Sequence, residues 1–322
     1  MRLASFQHEG TDTIGIEAGG KLYPLDDLWA AMGRKERFSD MRALIEAGAP
    51  ALEAARAAAH HLEQKPEGSA GIDPEAVRWH PPVRRPYKIC GIAMNNSASD
   101  SRKISAPDHP LFFLKPASSL VGHNEPIVVR DDYGSVHPEP ELAVIIAETC
   151  RDVPVEEAMR YVFGYTILND MTGNGMRAED RVHYYALYPR ADDPDQLERR
   201  EQHLSYTARY KGTDTFGPMG PYLVTPDEVP DPHALDVRCW HNDDLIADDS
   251  TAYYTYSIPE IISFVSRYHS LWPGDVISLG TAFRPSAGQK RSLHTADVTS
   301  RGGAVSIEIT GLGRLHNPVR KV

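Results

Sequence analysis

The chain has 322 residues, of which 41% are hydrophobic and 25% charged. This composition supports a sizeable buried core and excludes disorder, collagen and coiled coil as descriptions of the whole chain. With 34 basic and 45 acidic side chains the net charge is −11, which argues against a nucleic-acid or anionic-membrane partner. A small anionic substrate would need local cations or a metal ion to reverse the field at its site.

The cysteines and the first residues indicate the compartment. Cys90, Cys150 and Cys239 are few, odd in number and widely spaced, so we expect three small buried side chains rather than disulfides or a zinc site. The first nine residues hold no apolar stretch of signal-peptide length, and the longest apolar run, 142–147, is too short to cross a bilayer. We therefore expect a cytoplasmic protein.

The first third of the chain predicts a small N-terminal α/β domain over residues 1–80. Residues 1–23 alternate in polarity, with Gly19-Gly20 as a hairpin signal. Residues 25–63 show helical spacing, as in Leu25, Leu28 and Met32. A linker rich in Pro and Gly follows over 64–86, and a catalytic domain is predicted for residues 81–322.

The rest of the chain predicts many short strands and few helices. Helices are expected over 155–163 and 258–269, and the charged stretch 177–210 is expected to be a solvated helical excursion, with a lid or subunit contact as the alternative. Such scattered strands indicate an α+β, mainly β fold with a rolled or barrel-like mixed sheet. The predicted strands cover 88–92, 111–115, 126–129, 142–147, 165–169, 222–225, 236–240, 275–279 and 304–309.

An acidic segment carries the most specific chemical signal. In an extended chain Glu139 and Glu141 project to the same side, where two carboxylates repel unless a cation lies between them. Pro138 and Pro140 cannot donate backbone hydrogen bonds, so this segment is not expected to be a fully paired central strand. The carboxylates are expected at the open start of a strand, just before its buried part.

A third acid, Asp170, follows the predicted strand 165–169. Strand ends combine a rigid scaffold with an open tip. Three carboxylates without a cysteine partner suit Mg²⁺, or else Mn²⁺ or Ca²⁺. The alternative from the residues alone is an exposed acidic strand edge.

Six segments, in order over about residues 86–319, together resemble the fumarylacetoacetate hydrolase family. They are Glu139-Pro140-Glu141-Leu142-Ala143, Gly164-Tyr165-Thr166-Ile167-Leu168-Asn169-Asp170, Lys211-Gly212-Thr213-Asp214-Thr215-Phe216-Gly217-Pro218-Met219-Gly220-Pro221, Pro273-Gly274-Asp275-Val276-Ile277, Gly280-Thr281 and Gly311-Leu312-Gly313-Arg314-Leu315-His316-Asn317-Pro318-Val319.

The resemblance implies a mixed β-roll catalytic domain, a homodimer and a divalent metal, typically Mg²⁺ or else Mn²⁺. It also implies that a small anionic oxo acid is the substrate, bound without nucleic acid or membrane. The family's metal ligands correspond to Glu139, Glu141 and Asp170, and its active-site lysine to Lys211. Its loop for the substrate carboxylate corresponds to Gly280-Thr281.

One departure from the family concerns the catalytic base. Hydrolytic members carry a histidine, followed three residues later by a glutamate, where this chain has Ser97 and Asp100. Serine is not a base near neutral pH without a helper, so the usual dyad is missing, although Ser97 and Asp100 stay candidate catalytic residues. The histidines that offer a replacement are His109, His123, His137, His183 and His294.

Three functions are compatible with these residues. The resemblance favours a hydrolase that cleaves a C–C bond in an acylpyruvate or another β-diketo acid. The missing dyad favours instead a lyase, either a dehydratase of 2-keto-3-deoxy sugar acids or an oxo-acid decarboxylase. A catalytically silent protein that keeps the fold for metal binding or subunit contacts is the third, and the retained acids and Lys211 count against it.

Overall fold

A computed structural model describes residues 1–64, 70–97, 103–284 and 293–322. The strands of its first half are β1 (Arg2–His8), β2 (Thr11–Ala18), β3 (Lys21–Pro24), β4 (Arg78–Trp79), β5 (Ile89–Ala93), β6 (Leu111–Lys115), β7 (Leu120–Val121), β8 (Ile127–Val129), β9 (Val136–His137) and β10 (Pro140–Ile146). Those of its second half are β11 (Val162–Asn169), β12 (Thr172–Gly173), β13 (Arg181–Pro189), β14 (Leu197–Ser205), β15 (Gly217–Val224), β16 (Asp236–His241), β17 (Asp244–Ser250), β18 (Val276–Thr281), β19 (Ala304–Ile309) and β20 (Gly313–Lys321).

Most helices are short, and two of them begin at a recognisable capping signal. Asp40 caps one helix by accepting a hydrogen bond from the amide of Ala43, and Ser257 with Glu260 forms a capping box at another. The helices are α1 (Leu25–Ala31), α2 (Met41–Glu46), α3 (Ala49–Gln64), α4 (Asn174–Glu179), α5 (Ala208–Gly212), α6 (Ile258–Tyr268) and α7 (Val298–Arg301).

A large mixed sheet carries the residues of interest. Its main path runs β3-β2-β1-β15-β11-β10-β18-β5-β6, with β10 and β11 near the middle. Most neighbours are antiparallel, but β18 and β5 are parallel, so the sheet is mixed as expected. Its path runs from β3 to β6 without closing on itself, which confirms a mainly β, α+β fold and gives an open sheet in place of a barrel.

The two faces of β10 pack into two different cores. Leu142 and Val144 pack in a cluster with the second sheet and with α6, whereas Ala143 and Ile145 pack against α1, α2 and α3. Alternate residues of a strand face opposite sides, so a strand that is buried on both faces reads as the continuous apolar run seen here. The second sheet has the order β17-β16-β19-β20-β8.

The N-terminal strands are continuous with the large sheet. β1 pairs with β15, with Leu3 opposite Leu223, and the amino group of Met1 lies 2.8 Å from Glu228. α1, α2 and α3 cover one face of that sheet. The division into domains 1–80 and 81–322 stays a prediction, since these contacts join the two segments closely.

The stretch 177–210 differs from the expected helical excursion. α4 and α5 are short, and between them β13 and β14 form an antiparallel ribbon that is exposed over most of its length. Tyr184, Tyr185 and Tyr188 favour strand because aromatic side chains suit the pleated surface. Cross-strand pairs such as Tyr184 with Gln202, joined by a 2.6 Å hydrogen bond, stabilise the ribbon.

Two smaller differences concern one predicted helix and two strands that were not predicted. The predicted helix 155–163 is a 3-10 helix over Val155–Tyr161, and β11 already begins at Val162. β17 and β20 were not among the predicted strands, because the acidic residues of β17 and the proline of β20 hide their alternation.

No helix in the described ranges has the length and apolar character needed to span a membrane.

Candidate active site

Three carboxylates meet at one end of β10 and β11. Glu139 directly precedes β10, Glu141 lies within it, and Asp170 follows β11. The antiparallel register places Pro140 opposite Asn169, so the acids at the ends of the two strands become neighbours. One oxygen from each carboxylate lies within 4.8 Å of the others.

Backbone contacts hold this corner in place. The amide of Asp170 donates to the carbonyl of Glu139 over 2.9 Å, and the amide of Glu139 donates to Oδ1 of Asn169 over 3.0 Å. The strand begins at Pro140, as its missing N–H predicts. The expectation of an open strand start was wrong for Glu141, however: β10 is a central strand, and Glu141 is buried inside it where its pairing with β18 is irregular.

Two lysines donate hydrogen bonds to the carboxylates. Nζ of Lys211 lies 2.8 Å from Oε2 of Glu139 and also donates to Oδ2 of Asp170. Nζ of Lys115 donates to the other oxygen of Asp170 over 2.7 Å, to the carbonyl of Phe216 over 3.1 Å, and to the carbonyl of Lys211. Asp170 is therefore held between two ammonium groups.

These charges shift the pKa values in different directions. Burial opposes ionisation of Glu139, but the Lys211 ammonium and a hydrogen bond with His137 hold the pKa of Glu139 well below its usual range. Burial alone would lower the pKa of Lys211, yet the charges of Asp170, Glu139 and Glu141 raise it above its usual range. Lys211 is thus a fixed cation at the centre of the site.

Glu141 occupies the most enclosed position. Its Oε2 accepts hydrogen bonds from the hydroxyl of Ser278 and, over 3.1 Å, from the amide of Gly280. Burial and the neighbouring charge of Asp170 raise its pKa well above the usual range. A nearby cation would reverse this shift, because it would stabilise the ionised form.

The predicted substrate loop lies beside Glu141. Thr281 pairs with Glu141 across β10 and β18, and it is nearly buried. Gly280 has φ +85°, and a Cβ there would lie 2.8 Å from the carbonyl oxygen of Ile92, so only glycine fits this close approach. The structure brings Gly280-Thr281 to the carboxylates; their contact with substrate stays a prediction.

His137 borders Glu139, and Asn174 joins it to a second histidine. Nε2 of His137 lies 3.1 Å from Oε1 of Glu139. Nδ2 of Asn174 lies 3.0 Å from Nδ1 of His137 and 2.9 Å from Nδ1 of His294. Of the histidines named as candidate bases, His137 therefore contacts the site directly, and His294 is joined to it through Asn174.

The other candidate bases make contacts elsewhere. His109 stacks on Phe264 with ring centroids 5.2 Å apart, His183 stacks on His203 in the ribbon, and burial lowers the pKa of His123 to about 4. Ser97 is exposed. Asp100, the other half of the missing dyad, lies outside the described residues.

The donor set fits a divalent ion. Three carboxylates with no cysteine are hard oxygen ligands, which suit Mg²⁺ and Mn²⁺. When all three acids are ionised, Glu139, Glu141 and Asp170 carry three negative charges against two positive charges on Lys115 and Lys211. A bound divalent cation would turn this balance positive, which suits an anionic substrate.

Sequence reasoning did not assign roles to several residues that shape the site. Lys115 ends a strand that is rich in aromatic side chains, and its ammonium contacts Asp170 directly. Asn169 and Ser278 lie next to predicted site residues, and this adjacency is a usable signal. For Asn174 the sequence holds no such signal, because its partners come from distant segments.

Comparison with protein families gives one match. The family model described as "Fumarylacetoacetate (FAA) hydrolase C-terminal" matches residues 88–320 of this chain. The matched range contains all the acids and lysines described above.

Similar proteins include several that are named as enzymes. An oxaloacetate tautomerase from Xenopus laevis is 29% identical over 99% of this chain and 90% of its own length. A 2,4-didehydro-3-deoxy-L-rhamnonate hydrolase from a Sphingomonas species is 33% identical over 70% of this chain and 72% of its own. A maleylpyruvate hydrolase from Sphingobium sp., solved with manganese(II) and pyruvate, is 30% identical with a TM-score of 0.70, covering 100% of this chain and 99% of that one.

Proposed function

This chain belongs to the fumarylacetoacetate hydrolase family, and from that premise we propose that it hydrolyses a C–C bond in an acylpyruvate-like β-diketo acid. The observation that carries the proposal is the meeting of three carboxylates with the Lys211 ammonium at one end of β10 and β11. The similar maleylpyruvate hydrolase was solved with manganese(II) and pyruvate, which supports a divalent metal and an oxo-acid product.

The metal ligands in this proposal are Glu139, Glu141 and Asp170, with Mg²⁺ or Mn²⁺ as the ion. When bound, such a cation supplies Lewis-acid stabilisation of negative charge on a keto oxygen. Lys115 holds Asp170, while Ser278 and the amide of Gly280 hold Glu141. Orienting the ligands in this way costs no reorganisation during the reaction.

Lys211 adds a second positive charge near the same oxygen. Its ammonium lies between Glu139 and Asp170, and its raised pKa keeps it charged. In this proposal the Thr281 hydroxyl and amide, at the end of β18, bind the substrate carboxylate. The fixed Lys211 ammonium would thus stabilise the negative charge of an enolate that develops on the substrate.

The reaction balances with water alone. Water adds to the outer carbonyl of the diketo acid, and the bond between that carbon and the methylene carbon breaks. The electron pair stays on the methylene carbon as an enolate, which takes up a proton to give pyruvate. The acyl fragment leaves as a carboxylic acid, and no redox partner is needed.

The alternative is a lyase of the same family, and the exposed Ser97 favours it. Dehydration of a 2-keto-3-deoxy sugar acid and decarboxylation of an oxo acid both need enolate stabilisation but no base that activates water. A serine at this position cannot serve as that base near neutral pH.

Mg²⁺ or Mn²⁺ as the ion, a homodimer and a cytoplasmic location complete the proposal. Three buried free cysteines suit a reducing compartment.

The test is turnover of a substrate panel with Mg²⁺ or Mn²⁺ present. The panel contains acetylpyruvate, a longer acylpyruvate, oxaloacetate and a 2-keto-3-deoxy sugar acid. Loss of the ultraviolet band of a diketone together with release of pyruvate supports the hydrolase. Release of CO₂ or of a dehydrated 2-oxo acid, with the diketones untouched, supports the lyase.

Two variants make the test specific to the site. Asp170→Asn should reduce turnover at least 100-fold, because it removes a metal ligand and the partner of both lysines. Asp131→Asn, which alters an exposed acid paired with Lys321, should leave turnover unchanged. If Asp170→Asn turned over its substrate as fast as the unmodified protein does, both the hydrolase and the lyase proposals would be overturned.

A further inference from the structure

Two histidines face each other across the exposed ribbon of β13 and β14. His183 is paired with His203 in the antiparallel register, so both side chains lie on the same face of the ribbon. Their rings are stacked, with centroids 4.0 Å apart and planes 10° from parallel. Both residues are exposed, and the proposed reaction uses neither of them.

A carboxylate holds one of the two rings. Glu201 lies two residues before His203 on β14, and its Oε2 is 3.0 Å from Nε2 of His183. In neutral His183 this contact places the proton on Nε2 and leaves a lone pair on Nδ1. Histidines that bind a metal ion through one ring nitrogen usually donate their other N–H in this way, often to a carboxylate.

The second ring is close enough to share an ion with the first. Within the described ranges, the ring of His203 stacks on His183 and its nitrogens form no hydrogen bond or ion pair. Two nitrogens that bind one tetrahedral Zn²⁺ at about 2.0–2.1 Å lie about 3.3 Å from each other, which is close to the present separation of the rings. Rotation about the Cβ–Cγ bond of histidine is soft, so both lone pairs can turn towards a common ion.

The surroundings of this pair suit a cation that keeps water ligands. A cavity of about 340 Å³ borders both histidines, which leaves room for water at the remaining coordination positions. The carboxylate of Glu201 supplies a negative charge beside them. Arg181 lines the same cavity and opposes a cation, but it is exposed, so solvent and salt screen its charge.

The ribbon would gain stability from such an ion. β13 and β14 form a sheet of two strands, and the sheet is exposed over most of its length. A two-stranded ribbon of this kind is only marginally stable in water. An ion that takes one ligand from each strand would hold the strands in register, because its binding free energy adds to the stability of the folded ribbon.

We propose that His183 and His203 bind a divalent transition-metal ion, Zn²⁺ in particular, on the ribbon. The two imidazoles are the protein ligands, Glu201 is a positioning residue that orients His183, and water completes the coordination. Imidazole nitrogen suits Zn²⁺, whereas Mg²⁺ and Mn²⁺ prefer the three carboxylates of the candidate active site. The two sites thus select different ions, and this inference does not depend on the proposed function.

The test is calorimetric titration of the full-length protein with Zn²⁺, in an excess of Mg²⁺ that competes for the three carboxylates. Zn²⁺ should bind with a dissociation constant below about 100 μM. His203→Phe keeps an aromatic ring against His183 but removes both nitrogens, so it should weaken Zn²⁺ at least about thirtyfold. A weaker dissociation constant in the unmodified protein, or unchanged binding in His203→Phe, would overturn the proposal.

Further variants test the surroundings of the ion. Glu201→Gln should weaken Zn²⁺ about tenfold, as expected when a carboxylate that orients a ligand is lost. Arg181→Gln should strengthen Zn²⁺ binding, because it removes a positive charge from the cavity. His60→Phe is the matched control: Nδ1 of His60 lies 3.5 Å from Oε2 of Glu63, but no stacked imidazole accompanies it in the described ranges. An equal loss of affinity in His60→Phe would contradict the need for two imidazoles.

Hydrogen exchange locates the ion on the chain. Zn²⁺ should slow amide exchange in Arg181–Pro189 and Leu197–Ser205, since a ligand bridge between the strands resists their opening. His203→Phe should lose this protection. Protection confined to the segments around Glu139 and Asp170 would show that Zn²⁺ occupies the carboxylates alone, and it would overturn the ribbon site. Turnover of diketo acids is a separate measurement, and its absence would overturn the hydrolase without affecting the ribbon site.

Discussion

Two lysines in one site have opposite electrostatic environments. Burial and the positive charge of Lys211 lower the pKa of Lys115, although Asp170 attracts it. The Lys115 side chain is fully buried and donates to Asp170 and to the carbonyls of Phe216 and Lys211. Lys115 therefore organises the site from within, whereas Lys211 lies nearer the opening and faces Glu139 as well as Asp170.

Removing the inner ammonium should destabilise the protein. Lys115→Met leaves the Asp170 carboxylate and two carbonyls without their donor, and breaking such a buried pair costs about 3–5 kcal/mol. Turnover should also fall, since Asp170 and Lys211 lose a common support. The matched control Lys321→Met removes an exposed lysine paired with Asp131 and should cost less than about 0.5 kcal/mol. Urea unfolding measures both values, and equal midpoints would contradict this role of Lys115.

Among the elements, β17 contains a buried acid that the site does not use. Asp249 is fully buried in β17. Its Oδ1 accepts from the amide of Arg284 over 2.8 Å, but within the described ranges Oδ2 has no hydrogen-bond partner. Burial raises the pKa of Asp249 from 3.8 to about 6. The folded protein thus binds this proton more tightly than the unfolded chain does.

The sign of the pH effect follows from that difference. The contribution of Asp249 is fully present below about pH 4 and is lost as the pH rises through about 6. Asp249→Asn imitates the protonated form, so it should be more stable than the unmodified protein at pH 8, by up to about 2–3 kcal/mol. The difference should shrink towards pH 4. Urea unfolding between pH 4 and 8 measures this difference in the free energy of unfolding, and the exposed Asp248→Asn is the control. If the difference did not change with pH, protonation of Asp249 would not be its cause.

At the scale of the whole molecule, the net charge of −11 gives little guidance to the chemistry of the site. The site combines three acids with two lysines, so one divalent cation is enough to make it positive. Local charge therefore permits an anionic oxo-acid substrate on an acidic protein. Because the three proposed ligands lie in or next to β10 and just after β11, cation binding should stabilise the large sheet.

A cation that binds only the folded protein should raise its melting temperature. At about 100 times the dissociation constant the gain is about 2.7 kcal/mol, or on the order of 5 °C for a chain of this size. EDTA should reverse the shift. Glu141→Gln should abolish most of it, while the exposed Asp132→Asn should preserve it. A melting temperature that is indifferent to Mn²⁺ and EDTA would argue against the metal assignment.

Much of the fold follows from local pattern. The strands 111–115 and 304–309 have the predicted bounds, and α6 has its predicted start, because alternation, helical spacing and capping residues act within a few positions of the chain. The ribbon β13–β14 was missed for the opposite reason. Its strands bury little surface, so they carry no hydrophobic alternation that a sequence could reveal.

The sequence by itself determined the residue types of the site: two acids two positions apart, a third at a strand end, a lysine and a Gly-Thr pair. Spacing along an extended strand is local geometry, so it predicts which acids share a face. Only the tertiary structure decided that Lys115 reaches Asp170 and that Asn174 joins His137 to His294. Those contacts join segments 37 to 120 residues apart, and the packing of sheets and turns brings them together, which no local pattern encodes.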